Sequence, residues 1–155
     1  MSDEAGVSLV EMTGGELIEW LPGAVERFIA ERVSAGASLE LATSGGEAQR
    51  ERSFPGGRPL PGHHALQVRA GATKVGALWL GSDRLDRHVI LLDLDGVHRD
   101  DGTARATIQA AEQWAVGDGA TRLWVTVLGR DEGLQGFYAE QGYGVAATSM
   151  FKPLE

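Results

Sequence analysis

Apolar positions keep two different periods along this chain, helical in its first third and mostly extended after a proline-rich break. Leu17, Leu21, Ala24, Val25, Phe28, Ile29 and Val33 recur at steps of three and four, the spacing of one helix face. Just ahead, Thr13-Gly14-Gly15-Glu16 sets a hydroxyl residue three places before a glutamate, the pattern of a capping box. Pro22 falls inside the helical stretch and predicts a kink or two short helices, because its ring nitrogen has no proton to donate. Val7–Met12 alternates as a short strand before this helix. A weaker helical pattern covers Ser38–Arg52 and stops at the Phe54–His63 loop, which holds Pro55, Pro59 and Pro61.

Beyond that loop, Ala65–Arg69 and Lys74–Leu80 read as strands around the turn Ala70-Gly71-Ala72-Thr73, a hairpin. His88–Leu94 is a third strand, built on the apolar run Val89-Ile90-Leu91-Leu92. Gly102–Val116 is helical, with Ala104, Ile108, Ala111, Trp114 and Ala115 on one face and Gly117-Asp118-Gly119 as its stop. Leu123–Leu128 is a strand, Asp131–Gln141 a helix closed by Gly142, and Val145–Lys152 a last strand. This order predicts an α/β or α+β domain with a mixed sheet. No internal repeat or linker interrupts it, so residues 1–155 are expected to form one domain.

Composition narrows the chemistry. Hydrophobic residues make up 43% and charged residues 23%, a balance that excludes a disordered chain. Cysteine is absent, which excludes disulfides, thiolate metal sites and a cysteine nucleophile. A formal net charge of −8 argues against a nucleic-acid partner. Neither a signal peptide nor an apolar membrane span is read, so a cytoplasmic location and no membrane partner are expected. Only Lys74 and Lys152 among the 14 basic residues are lysines, a bias that codon usage in a GC-rich bacterial genome explains for most of them. His63 and His64 follow a Pro-Gly turn, but no third ligand at metal spacing accompanies them. No metal is expected. The four tryptophans lie within helical or strand patterns and read as packing residues.

The informative stretch runs from Ile90 to Ala104, a strand passing through a loop into a helix. A helix start presents unsatisfied N–H groups and partial positive charge, which suits an anion such as a pyrophosphate. Gly102 lets a ligand approach the backbone, Ala104 keeps the first turn uncrowded, and Arg99 adds a charged contact. On these residues alone, Asp100 and Asp101 equally fit the caps of an ordinary helix.

Arg99-x-x-Gly102-x-Ala104 after an apolar strand resembles the R/Q-x-x-G-x-G/A motif of the GNAT superfamily, the acyl-CoA-dependent N-acetyltransferases. Gly119–Val127 is similar to the strand that follows that family's CoA-binding helix. Phe137-Tyr138-Ala139-Glu140-Gln141-Gly142-Tyr143 resembles its F-Y-x-x-x-G-F/Y segment. Pro61–His64, Val75–Trp79 and the ending Thr148–Leu154 also resemble parts of one subgroup. The resemblance implies a GNAT-like twisted mixed sheet of six or seven strands flanked by about four helices, with acetyl-CoA as cosubstrate. It places the pantetheine and acetyl group near the Leu94 backbone and the pyrophosphate at Gly102, Thr103 and Ala104, with Arg99 and Asp100 in the same loop. Asp131 stands near the pantetheine path, where relatives often carry asparagine. Tyr138 takes the place of the general acid that protonates the leaving thiolate. Asp93 takes that of a carboxylate that accepts the amine's proton directly or through water. The acceptor is then a small-molecule or peptide amine. The two N-terminal helices and the Pro55–His64 loop are expected to form its wall, and Glu16, Glu19 and Glu26 are available to favour a cation. A homodimer is compatible with all of this.

Two other readings stay open at this point. Val89–Val97 also looks like the hhhhDxDG signature of haloacid-dehalogenase-type phosphatases, with Asp93 and Asp95 as the acidic pair. Asp100, Asp101 and Asp131 also add negative charge near a polyanionic ligand, which suits a catalytically weak CoA-binding or interaction domain.

Overall fold

The first helix starts at the capping box. In the computed structural model, which describes residues 6–96, 102–129 and 131–154, Glu16 N–H donates to Thr13 Oγ1 at 3.1 Å and Thr13 N–H donates to Glu16 Oε1 at 2.8 Å. The exchange satisfies two donors, and α1 runs from Gly14 to Ser34. It continues through Pro22 as one helix, so two short helices do not form. Pro22 lies on the exposed face, and the carbonyl it deprives of a donor belongs to Ile18, 64% exposed and open to water. Leu17, Leu21, Ala24, Val25 and Phe28 are buried as the spacing predicts, while Val33 at the far end is not. Ser38 Oγ accepts from Leu41 N–H at 3.1 Å and starts α2, Leu39–Ser53. A single 3-10 turn, Pro55–Gly57, then leads into the sheet.

Five strands pair in chain order: β1 Ser8–Glu11, β2 His64–Ala70, β3 Thr73–Asp83, β4 Asp86–Leu94 and β5 Arg122–Trp124. The first three pairings are antiparallel and the last is parallel, with α3, Thr103–Gly117, as the crossover. The short α4, Glu132–Ala139, follows β5. Alternation along the strands builds two cores. Ala65, Ala77, Trp79 and Leu91 pack with Leu17, Leu21, Ala24 and Val25 of α1. On the opposite side, Leu66, Val68, Leu78, Leu80 and Leu94 pack with Ala111 of α3. Trp79 has no exposed surface, and the rings of Trp20, Phe28 and Phe54 stand 6.0, 6.2 and 5.3 Å from it. Its indole N–H donates to Ser53 Oγ at 3.0 Å, which removes the cost of burying that donor.

The mixed α/β class holds, with five strands among the described residues in place of six or seven. β5 stops at Trp124 instead of reaching Leu128, and residues 145–152 form no strand. Their alternating pattern is present, but Val145, Met150 and Phe151 are 81%, 88% and 74% exposed. A strand needs a partner edge, and a three-residue β5 offers almost none.

Candidate active site

Strand alternation decides what Asp93 meets. Two residues beyond Leu91, it points to the same face of the sheet and therefore toward α1. There Arg27 Nε donates to Asp93 Oδ2 at 3.2 Å. The close approach behind Asp93 depends on Gly76, which pairs with Leu94 across β3 and β4. A Cβ on Gly76 would collide with the Asp93 backbone carbonyl oxygen and come within 2.9 Å of Leu94 Cα.

In front of this strand end lies a cleft of ≈ 300 Å³, lined by Arg27 and Glu31 of α1, Leu92, Asp93 and Leu94 of β4, and Ala104 of α3. Arg27 and Glu31 are one helical turn apart and so share a face. Glu31 is open to solvent and has no hydrogen bond or ion pair among the described residues. The protein packed around its carboxyl raises its pKa. The Arg32 and Arg27 charges oppose that shift and Asp93 adds to it. A wider depression of ≈ 450 Å³ runs along the outer side of α3, past Val7 and Gln109. Its titratable group, Glu112, already accepts a hydrogen bond from the Tyr143 hydroxyl at 2.7 Å.

At the start of α3, Gly102 has φ +89°, a left-handed conformation that L side chains rarely adopt. It supplies no capping side chain, and a Cβ there would meet nothing within 4 Å among the described residues. Thr103 behind it is buried and Ala104 lines the cleft. The β4–β5 ladder joins Asp86 to Arg122, Arg87 to Leu123 and His88 to Trp124, and it ends there. β4 runs on to Leu94 without a β5 partner, and Ala104 of α3 lines the cleft at that end. A helix start whose N-cap is a glycine, with Ala104 and the end of β4 lining one cleft, fits a ligand with a phosphate group and an extended arm. Arg99 and Asp100, with Asp101, lie outside the described residues.

Tyr138 is 8% exposed on α4, with the rings of Phe137 and Tyr143 at 5.2 and 5.5 Å. Its hydroxyl has no hydrogen-bond partner among the described residues. Burial raises its pKa, and the charge of Glu31 adds to the rise, so the proton stays on at neutral pH. Asp131 is the N-cap of the same helix, its Oδ1 accepting from Leu134 N–H at 3.0 Å.

Asp93, Leu94 and Ala104 therefore share one cleft, with Gly102 and Thr103 next to it. Three residues the sequence reading missed, Arg27, Glu31 and Gly76, complete that region. Glu16 does not serve it, because its carboxylate is held by Thr13 and by Gln67 Nε2 at 3.0 Å. His63 and His64 are tied separately: His63 Nδ1 lies 2.9 Å from Ser53 Oγ, and His64 lies between Glu11 and Asp118 at 3.0 and 2.8 Å. The phosphatase reading fails on architecture. Three of the four strand pairings are antiparallel, whereas that signature opens a parallel sheet.

Sheet, crossover helix and cleft together have the architecture of an acetyltransferase. The chain belongs to the acetyltransferase (GNAT) family, whose model matches residues 42–143, more than half of the 155. Solved structures share the fold. YycN of Bacillus subtilis, a candidate acetyltransferase, is 22% identical with a TM-score of 0.81, over 96% of this chain and 99% of its own. A candidate acetyl transferase of Pyrococcus furiosus is 20% identical with a TM-score of 0.64, over 96% and 99%. AAC(6')-Iy, solved with the bisubstrate analogue CoA-S-monomethyl-acetylneamine, is 12% identical with a TM-score of 0.61, over 96% and 98%. A search of curated proteins finds no significant match.

Proposed function

We propose that this protein transfers an acetyl group from acetyl-CoA to a primary amine on a small molecule, by direct attack in a ternary complex. The carrying observation is the convergence of the end of β4, the glycine-led start of α3 and a polar cleft between α1, β4 and α3. Backbone N–H groups of Gly102, Thr103 and Ala104, with Arg99, hold the pyrophosphate, and the Leu94 backbone meets the pantetheine arm. Acetyl-CoA supplies the thioester carbon that the amine attacks. Tyr138 donates its proton to the departing sulfur, a role for which a buried, protonated hydroxyl is suited. Asp93 stands on the acceptor side, with Arg27 holding its carboxylate. The net charge of −8 favours a cationic acceptor, and AAC(6')-Iy offers a precedent in an aminoglycoside-derived ligand.

Two measurements test this reading. CoA and acetyl-CoA should raise the melting temperature, because a ligand bound to the native state stabilises it. Gly102→Val should abolish that shift while the protein still folds, since a β-branched residue in the left-handed region costs ~1–2 kcal/mol. Free-CoA release is then measured with 1,4-diaminobutane, neamine and a lysyl peptide. An absent thermal shift with both CoA species, alongside a shift with magnesium and phosphate, would overturn the proposal.

A further inference from the structure

We infer that Glu31, at the wall of the cleft, takes the proton from the acceptor amine, while Asp93 beside it is held by Arg27. The inference rests on the acetyl-transfer reading above. It begins with what Asp93 already does. Its Oδ2 accepts the Arg27 guanidinium at 3.2 Å, so protonating it would sacrifice a charge-assisted contact.

Glu31 has no such commitment. Two arginines lie nearby on α1, and both are engaged elsewhere. Arg27 is paired with Asp93, and the Arg32 guanidinium lies 3.6 Å over the centre of the Phe28 ring. Glu31 thus presents a carboxylate to the same ≈ 300 Å³ cleft with no partner among the described residues. The charged and titratable groups around it are Arg27 and Arg32 on its own helix, Asp93 on β4 and Tyr138 on α4. The charge of Glu31 acts on the Tyr138 hydroxyl, so the two groups are coupled electrostatically. The upward shift of Glu31, from protein packed around a carboxyl that still reaches solvent, supports the role, because a general base works best when its pKa approaches the working pH.

The step balances. An acceptor ammonium gives one proton to the Glu31 carboxylate, which passes it to solvent. The neutral nitrogen's lone pair forms the C–N bond to the acetyl carbon, and the C–S bond breaks with its electron pair on sulfur. Tyr138 gives its proton to that thiolate and recovers one from the acylated nitrogen.

A pH profile separates this role from a structural one. Without an internal base, reaction must wait for the free amine, whose ammonium has a pKa of about 10 if it resembles lysine. Wild type, Glu31→Gln, Glu31→Asp and Asp93→Asn are compared by kcat/KM for 1,4-diaminobutane, neamine and the lysyl peptide. Glu31→Gln should lose roughly 10²-fold or more near neutral pH, within the range for a general base. That deficit should shrink as the pH approaches the acceptor's own pKa. Glu31→Asp should restore the wild-type profile in shape, and Asp93→Asn should lower rates evenly across pH. A Glu31→Gln deficit that is even across pH, or an unchanged profile, overturns the assignment of Glu31 while leaving acetyl transfer in place. Absence of CoA release by the wild type with all three amines overturns both.

Discussion

Tyr138 is held from two sides. Phe137 and Tyr143 pack against its ring, and Tyr143 is itself tied to Glu112 on α3. The ring is therefore placed without using its own hydroxyl, which stays available to a ligand. Tyr138→Phe keeps the packing and removes the donor. It should lower kcat by about 10²–10⁴-fold while the CoA thermal shift is unchanged. A loss of less than a few-fold at saturating substrate would leave Tyr138 a packing residue only. This position was legible in the sequence because it lies in a compact segment, Phe137–Tyr143, whose residues are near neighbours in the chain. Arg27 and Glu31 were not legible. On a helix read alone, a charged residue off the apolar stripe is indistinguishable from solvated surface. Their placement at the cleft emerges only when α1 lies across β4, where Arg27 meets Asp93. Of the acidic residues singled out on the first helix, Glu16 is spent on the cap at the end opposite Glu31.

Between elements, the β3–β4 contact sets the floor of the cleft. Trp79 pairs with Leu91 and Leu80 with Val89, which leaves Ile90 as a bulge and bends β4 before Asp93. Gly76 then allows β3 to close on the Asp93–Leu94 backbone. The sign of Gly76→Ala is diagnostic. In a strand with room, alanine gains roughly 0.5–1 kcal/mol over glycine. Here the methyl group meets a backbone oxygen that cannot swing aside, so a loss of about 1–3 kcal/mol is expected. Urea unfolding measures that loss, and the CoA thermal shift should fall with it because Leu94 moves. Unchanged or increased stability would show that β4 yields without cost. Local pattern predicted elements whose stability is local, such as the capped start of α1 and the hairpin β2–β3. It failed where pairing with a distant edge decides, as in residues 145–152. Pro22 shows a different limit: the cost of a missing donor depends on whether the orphaned carbonyl faces water, and that follows from which side of α1 is buried.

For the molecule as a whole, the proposed function requires a chain of net charge −8 to bind a polyanion. Two unit charges ~6 Å apart interact by about 3 kcal/mol at an effective dielectric of 20, and ~1.4 kcal/mol is a factor of ten in affinity. One carboxylate turned toward the pyrophosphate would therefore weaken binding by roughly tenfold to a hundredfold. Asp131 is not such a group, because its carboxylate caps α4 through Leu134 N–H and sits at that helix's positive end. Asp131→Asn keeps a good capping residue, so both stability and CoA affinity should be nearly unchanged. Where backbone N–H groups converge on a phosphate, the side chains of the same loop are directed away from it, and Asp100 and Asp101 belong to the loop proposed for that role. Replacing both with asparagine should change CoA affinity, measured by calorimetry, by less than about threefold. The remaining acidic surface repels the ligand over distances that salt screens, from a Debye length of about 30 Å at 0.01 M to about 8 Å at 0.15 M. Wild-type affinity should therefore rise over that salt range, and the double variant should follow the same slope. If removing the two charges instead tightens binding tenfold or more, and most strongly at low salt, those carboxylates face the pyrophosphate. The natural protein is then a compromised CoA binder, and the acetyl-transfer reading loses ground to a binding domain.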